Sequence, residues 1–141
     1  AVVGDGGFQM TMSELATMVE NKIPVKFAIM NNNFLGMVRQ WQHMFYNDTF
    51  YATEYTGNPD FVELAKAFGI KGLRVTDKDQ VADAINEAND HDGPVVVDFV
   101  VDAEENVYPM IPPGESINEL VEAPDQLQAV LEANPDMMPP S

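Results

Sequence analysis

The sequence predicts an α/β fold: an open parallel sheet with helices on both faces, followed by an acidic, Pro-rich C-terminal arm. Three observations carry this prediction. Four short β-rich runs lie in the first hundred residues, helical patterns separate them, and the composition changes after Asp102. Strand, helix, strand, helix in succession implies parallel strands joined by right-handed crossovers whose helices cover the sheet. The change in composition divides the chain into an α/β domain over residues 1–101 and an arm over residues 102–141.

Val2-Val3 ends the first apolar run, and Gly4-Asp5-Gly6-Gly7 follows as a glycine-rich turn. Thr11-Met12-Ser13-Glu14 fits a capping box, with Thr11 as N-cap and Glu14 reaching back. Leu15, Met18 and Val19 then form the stripe of a short helix closed by Asn21 and Pro24. Residues 25–30 and 95–101 are continuous apolar runs that suit strands buried on both faces, with Leu73-Arg74-Val75 as a shorter one between them.

Asn31-Asn32-Asn33 closes the second run. Met37, Trp41, Met44 and Phe45 follow at helical spacing, a stripe that on its own suits ordinary packing. Asn58 offers an N-cap with Pro59 at the first helical position, Phe61, Leu64, Ala65 and Phe68 give one apolar face, and Gly69 the stop. Val81, Ile85 and Ala88 mark the next helix. Beyond residue 102, Pro109, Pro112, Pro113, Pro124, Pro135, Pro139 and Pro140 interrupt two weak helical stretches, near residues 116–122 and 124–133. This region reads as an arm over a neighbour or a loose end.

The chain carries 23 acidic and 7 basic residues, a net charge of −16. Nucleic acid and anionic membranes are bound by cations that neutralise phosphates, so neither is an expected partner. Residues 102–141 hold nine carboxylates and no cation, which suits a solvated tail. Adaptation to high salt is the alternative, and equal unfolding in low and molar KCl would rule it out. The absence of cysteine excludes disulfides, thiolate metal sites and a cluster held by this chain. No stretch approaches the ~20 apolar residues of a membrane span, and a cytoplasmic location is expected. The chain opens without Met in an apolar run and reads as a piece of a larger protein.

Ligands of open parallel sheets bind beyond the carboxyl ends of the strands. Gly4-Asp5-Gly6-Gly7 and Asn31-Asn32-Asn33 are expected at that end of two successive strands. Neighbouring strands lie ~4.8 Å apart, so Asp5 and Asn32 can reach one point although 27 positions separate them. A carboxylate, an amide oxygen and nearby carbonyls suit Mg²⁺, which completes its shell with phosphate and water. Gly6 and Gly7 let the backbone approach a diphosphate, whose oxygens main-chain N–H groups can bind. Taken singly, a glycine-rich turn and an Asn triplet are ordinary loop features; the pair at this spacing is specific.

Gly4-Asp5-Gly6, followed after 24 residues by Asn31-Asn32, resembles the thiamine-diphosphate motif. Gly36-Met37-Val38-Arg39-Gln40-Trp41-Gln42, Asn58-Pro59-Asp60-Phe61 and residues 69–75 resemble the acetolactate synthase (acetohydroxyacid synthase) family, and the match runs from Val3 to about Pro113. The resemblance implies the pyrophosphate domain of the thiamine-diphosphate-binding fold. It makes Asp5 and Asn32 side-chain ligands of Mg²⁺, and Phe34 a main-chain ligand. It sets Gly4, Gly6, Gly7, Gly36 and Met37 along the cofactor, and turns Met37 and Trp41 toward the substrate pocket.

In that family the cofactor carries the chemistry: pyruvate loses CO₂, and its two-carbon remainder joins a second 2-oxo acid, pyruvate or 2-oxobutyrate. A wide indole suits the extra methyl of 2-oxobutyrate, since one methylene in a pocket is worth ~1–3 kcal/mol. The resemblance also implies an activating glutamate in another domain, FAD bound mostly outside this segment, a homodimer or tetramer, and a small regulatory subunit. No catalytic residue is expected within these residues, and the piece alone is expected to be inactive. His43 has no assigned role. Rival readings are a pyruvate oxidase, a 2-oxo acid decarboxylase, a glyoxylate carboligase, or a non-catalytic α/β module of flavodoxin type.

Overall fold

The computed structural model describes residues 1–133. Pro135, Pro139 and Pro140 of the predicted arm lie outside them. Two compact units form, one from residues 1–34 and 55–103, the other from residues 35–54 and 104 onward.

The first unit is a four-stranded sheet. Its strands are β1 (Val2–Gly4), β2 (Lys26–Asn31), β3 (Lys71–Val75) and β4 (Val95–Val100), in the order β1-β2-β4-β3 and all parallel. Helices α1 (Asp5–Thr11) and α2 (Glu14–Glu20) join β1 to β2. In this unit α4 (Phe61–Ala67) precedes β3, and α5 (Val81–Asp90) joins β3 to β4.

Right-handed crossovers decide which face each helix covers. The chain moves one way along the sheet from β1 through β2 to β3, then turns back to place β4 between β2 and β3. Accordingly Phe8, Leu15, Phe61 and Ala65 of α1, α2 and α4 bury against Ile29 and Val96 on one face. Ala84 and Ala88 of α5 pack with Val75, Val95, Val97 and Phe99 on the other. The period-2 alternation of β2 and β4 distributes these residues between two cores. Phe8 meets Phe27 and Phe61 edge to face, with centroids 5.4 and 5.7 Å apart. The predicted α/β fold, with helices on both faces of a parallel sheet, is borne out.

Three local expectations are corrected. Gly4-Asp5-Gly6-Gly7 is not a turn, because Gly4 is the extended N-cap and α1 begins at Asp5. The capping box at Thr11 and Glu14 does not form. Thr11 already ends α1, Ser13 is itself helical (φ −60°, ψ −28°), and the N–H groups of Leu15 and Ala16 bond to the carbonyls of Met12 and Ser13. No extended residue remains there to act as a cap. Asn58 does not cap α4 either. Asp60 does, accepting from the N–H groups of Val62 and Glu63, each at 3.0 Å.

Gly69 ends the α4 segment at φ 73°, the left-handed conformation that favours glycine. Gly72 on β3 is demanded by close approach: a Cβ there would stand 2.9 Å from the main-chain oxygen of Val62 and 3.0 Å from its Cα. Helix backbone cannot swing aside as a side chain tip can. Gly72→Ala is therefore expected to cost about 1–3 kcal/mol, measured as a lower urea midpoint; an unchanged midpoint would refute the close packing.

The second unit contains α3 (Gly36–Phe45) and α6 (Pro124–Ala133). Met44 and Phe45 of α3 bury with Met110 and Val121, and Leu127 and Leu131 of α6 pack against this cluster. Met110 and Val121 form an antiparallel bridge. Of the weak helical stretch at 116–122, only a 3₁₀ turn over Ile117–Glu119 forms, capped by the Ser116 hydroxyl. Gln40, 2% exposed, bridges Val107 in both directions: its Oε1 accepts from the N–H at 2.8 Å and its Nε2 donates to the carbonyl at 2.9 Å. Gln42 does the same for Tyr51, at 3.2 and 3.1 Å. The two glutamines of the Gln40-Trp41-Gln42 segment thus fasten α3 to the loops around it.

Candidate cation and diphosphate site

The register of β1 and β2 sets Asp5 level with the Asn31-Asn32-Asn33 loop. Gly4 pairs with Met30, so Asp5 stands beside Asn31 and Asn32 at the carboxyl edge of the sheet. Asp5 is 1% exposed. Asn33 takes the left-handed conformation, φ 60°, which turns the chain back after β2.

The oxygens of this edge converge on the side chain of Asn58, which the sequence pattern marks as a helix cap. Asn58 Nδ2 donates to Asp5 Oδ2 at 2.6 Å and to Asn33 Oδ1 at 2.8 Å, and lies 3.3 Å from Asn31 Oδ1. Gln9 Nε2 in turn donates to Asn58 Oδ1 at 2.6 Å. Asn32 folds inward on its own loop, its Oδ1 accepting from the Phe34 N–H at 3.1 Å. Asn31 Oδ1 also accepts from the Asn33 N–H at 3.3 Å.

A second set of bonds fixes this loop from behind. Asp98 of β4, 1% exposed, accepts from Asn31 Nδ2 and from Arg74 Nε, each at 3.0 Å. Arg74 also donates to Asp60 Oδ1 at 2.7 Å. The α4 amide at Glu63 and the Arg74 guanidinium hold the Asp60 carboxyl below the usual carboxylate range, and Asp60 and Asp98 push Arg74 above its ordinary value. Asn31 is thereby oriented with its side-chain carbonyl toward Asn58 and its amide toward Asp98.

The donor set fits a hard cation. Among the described residues no group of three or more His, Cys, Asp or Glu side chains could hold a metal. A carboxylate and amide oxygens remain, hard oxygen donors of the kind Mg²⁺ takes together with phosphate and water.

Gly6 and Gly7 lie in the first turn of α1. A Cβ on Gly6 would fall 2.5 Å from the Tyr55 hydroxyl, and one on Gly7 would fall 3.2 Å from Val3. The Tyr55 ring therefore covers Gly6, a constraint no local pattern announces.

Gly36, Met37 and Trp41 belong to the second unit. Gly36 opens α3. Met37 and Trp41 are exposed, Trp41 at 39%, while Met44 and Phe45 of the same stripe are buried. Ordinary packing thus accounts for half of that stripe only. Trp41 meets Phe45 edge to face at 6.4 Å and lines an open cleft of about 410 Å³ with Val38, Gln42, Tyr46, Thr49 and Tyr51. His43 pairs with Asp48 at 2.6 Å on the surface.

Residues 1–99 match the thiamine pyrophosphate enzyme family, C-terminal TPP binding domain. The chain belongs to this family. It is 44% identical over 121 residues to the acetolactate synthase isozyme 2 large subunit of Escherichia coli (86% of this chain, 22% of that protein). It is 48% identical over 125 residues to an acetolactate synthase of Mycobacterium bovis (85% and 20%), and 38% over 130 residues to an acetolactate synthase large subunit of Cyanidium caldarium (92% and 22%). The chain spans about a fifth of the length of these curated relatives. The resemblance to acetolactate synthase seen in the motifs is borne out, and thiamine diphosphate is the cofactor of the domain family. Among the described residues, no helix is long and apolar enough to cross a membrane.

Proposed function

We propose that the protein carrying this chain is the catalytic subunit of an acetolactate synthase, and that this segment holds the diphosphate of thiamine diphosphate through Mg²⁺. The observation that carries the reading is the gathering of Asp5 and the Asn31-Asn33 loop at one strand edge, in a chain 44–48% identical to acetolactate synthases. Asp5 and Asn32 supply side-chain ligands and Phe34 a main-chain carbonyl. Gly4, Gly6 and Gly7 line the diphosphate. When bound, thiamine diphosphate supplies the carbon nucleophile and the electron sink for decarboxylation of a 2-oxo acid.

The remaining roles belong to binding. Asp5 would offset one of the cation's two charges and fix its place, which leaves positive charge to hold the diphosphate. Met37 and Trp41 shape the pocket for pyruvate or 2-oxobutyrate as acceptor. FAD is bound mostly outside this segment. The reading places the protein in the cytoplasm, in branched-chain amino-acid synthesis, as a homodimer or tetramer with a small regulatory subunit.

The test uses the full-length protein with pyruvate, FAD, thiamine diphosphate and MgCl₂. Acetolactate is the expected product, its formation lost without either thiamine diphosphate or metal, with acetohydroxybutyrate when 2-oxobutyrate is added. Acetaldehyde or peroxide in place of acetolactate would assign a decarboxylase or an oxidase. Metal-independent flavin binding with no thiamine diphosphate binding would refute the site.

A further inference from the structure

Asn58 precedes the capped start of α4, and its side chain is engaged at both ends. Its orientation follows from Asp5: a carboxylate accepts, so the NH₂ must face it, and Oδ1 must then face the Gln9 amide. The NH₂ has two hydrogens, yet three oxygens surround it, those of Asp5 at 2.6 Å, Asn33 at 2.8 Å and Asn31 at 3.3 Å. More acceptors gather here than an amide can serve. Oxygens drawn around one point, a carboxylate among them, are what a small divalent cation requires.

We propose that Asn58 is a positioning residue whose amide stands in for the cation, holding Asp5 and the Asn loop together, and that cation binding displaces it. The inference rests on the Mg²⁺ reading above and adds a residue and a competition to it. Asn58 and the cation both seek the Asp5 carboxylate, the one cation ligand that the amide also holds. Each state with the amide seated is closed to metal, so the apparent metal affinity is lowered by the fraction of molecules in that state. Gln9 strengthens the hold by pinning Oδ1 on the far side.

Removing the amide has two opposite consequences. Asp5, 1% exposed, loses its donor, and the metal-free fold weakens because a buried acceptor is left unmade. The same loss removes the competitor and tightens the metal. A residue that merely supports the fold would lower stability and leave metal affinity unchanged or weaker.

The experiment titrates MgCl₂ into the full-length protein at fixed thiamine diphosphate by calorimetry, and follows metal-free thermal unfolding in parallel. Asn58→Ala is expected to unfold at lower temperature and to need about tenfold less Mg²⁺ for half-saturation, the size of effect that one lost hydrogen bond to a charged group produces. Gln9→Met, which leaves Asp5 and its amide partner in place, is expected to shift the midpoint the same way by a smaller factor, and keeps the test decisive if Asn58→Ala does not fold. An unchanged or raised Mg²⁺ requirement in the variants that fold would overturn the inference while leaving the functional reading intact. Wild-type protein that binds thiamine diphosphate without any need of Mg²⁺ would overturn both.

Discussion

Asp5→Ala will abolish magnesium-dependent binding of thiamine diphosphate, weakening it by at least about 100-fold, since loss of even an outer-shell partner of a metal site costs 10–100-fold. The cause is specific to this position. Among the described residues Asp5 is the one carboxylate in the oxygen cluster at the ends of β1 and β2, and the rest of the set is neutral amides. Without it, no full charge faces the cation. The variant retains the apolar contacts of Phe8 and Leu15 that hold α1 and α2 on the sheet, so it is expected to fold. Calorimetry with MgCl₂, beside circular dichroism to verify folding, makes the comparison. Binding within threefold of wild type would sink the assignment of Asp5 as a ligand.

Arg74→Met will destabilise the protein by roughly 1–2 kcal/mol, below the ~3–5 kcal/mol that breaking a fully buried ion pair costs. Asp98 is 1% exposed and keeps only the Asn31 amide once the guanidinium is gone. The Arg74 side chain is itself 40% exposed, so part of the pairing is screened by solvent and the full buried-pair figure does not apply. Denaturant unfolding measures the loss. The double variant Arg74→Met with Asp98→Asn should recover much of it, because no uncompensated carboxylate remains. A loss below about 1 kcal/mol in the single variant would show that Asn31 alone satisfies Asp98.

The two predictions meet at Asn31. Its amide is held by Asp98 and its carbonyl faces the cluster around Asp5, so the stability of the sheet and the geometry of the cation site share one side chain. This is why Asp98, a charged residue in the most apolar strand, is tolerated: it orients the loop that follows β2.

Local patterns were sufficient for the strands and for most helices. The run at residues 25–30 became Lys26–Asn31, and the run at 95–101 became Val95–Val100. They failed at caps. Thr11-Met12-Ser13-Glu14 has the composition of a capping box, but a helix already running from Asp5 removed the extended residue a cap needs. Asn58 has the chemistry of a cap too, and a carboxylate 53 positions upstream in sequence claimed its amide first.

Hydrophobic periodicity was enough to decide the fold class and the order of elements, and the motifs from Gly4-Asp5-Gly6 and Asn31-Asn32 onward carried the resemblance to the family. These properties depend on neighbours in the chain or on fixed intervals along it. Three-dimensional packing alone placed β4 between β2 and β3, laid Tyr55 over Gly6, and drew Asp5, Asn31 and Asn33 around Asn58. Each of these joins residues far apart in sequence, and the free energy that selects them comes from burying apolar faces and satisfying polar groups together, which no local window of residues contains.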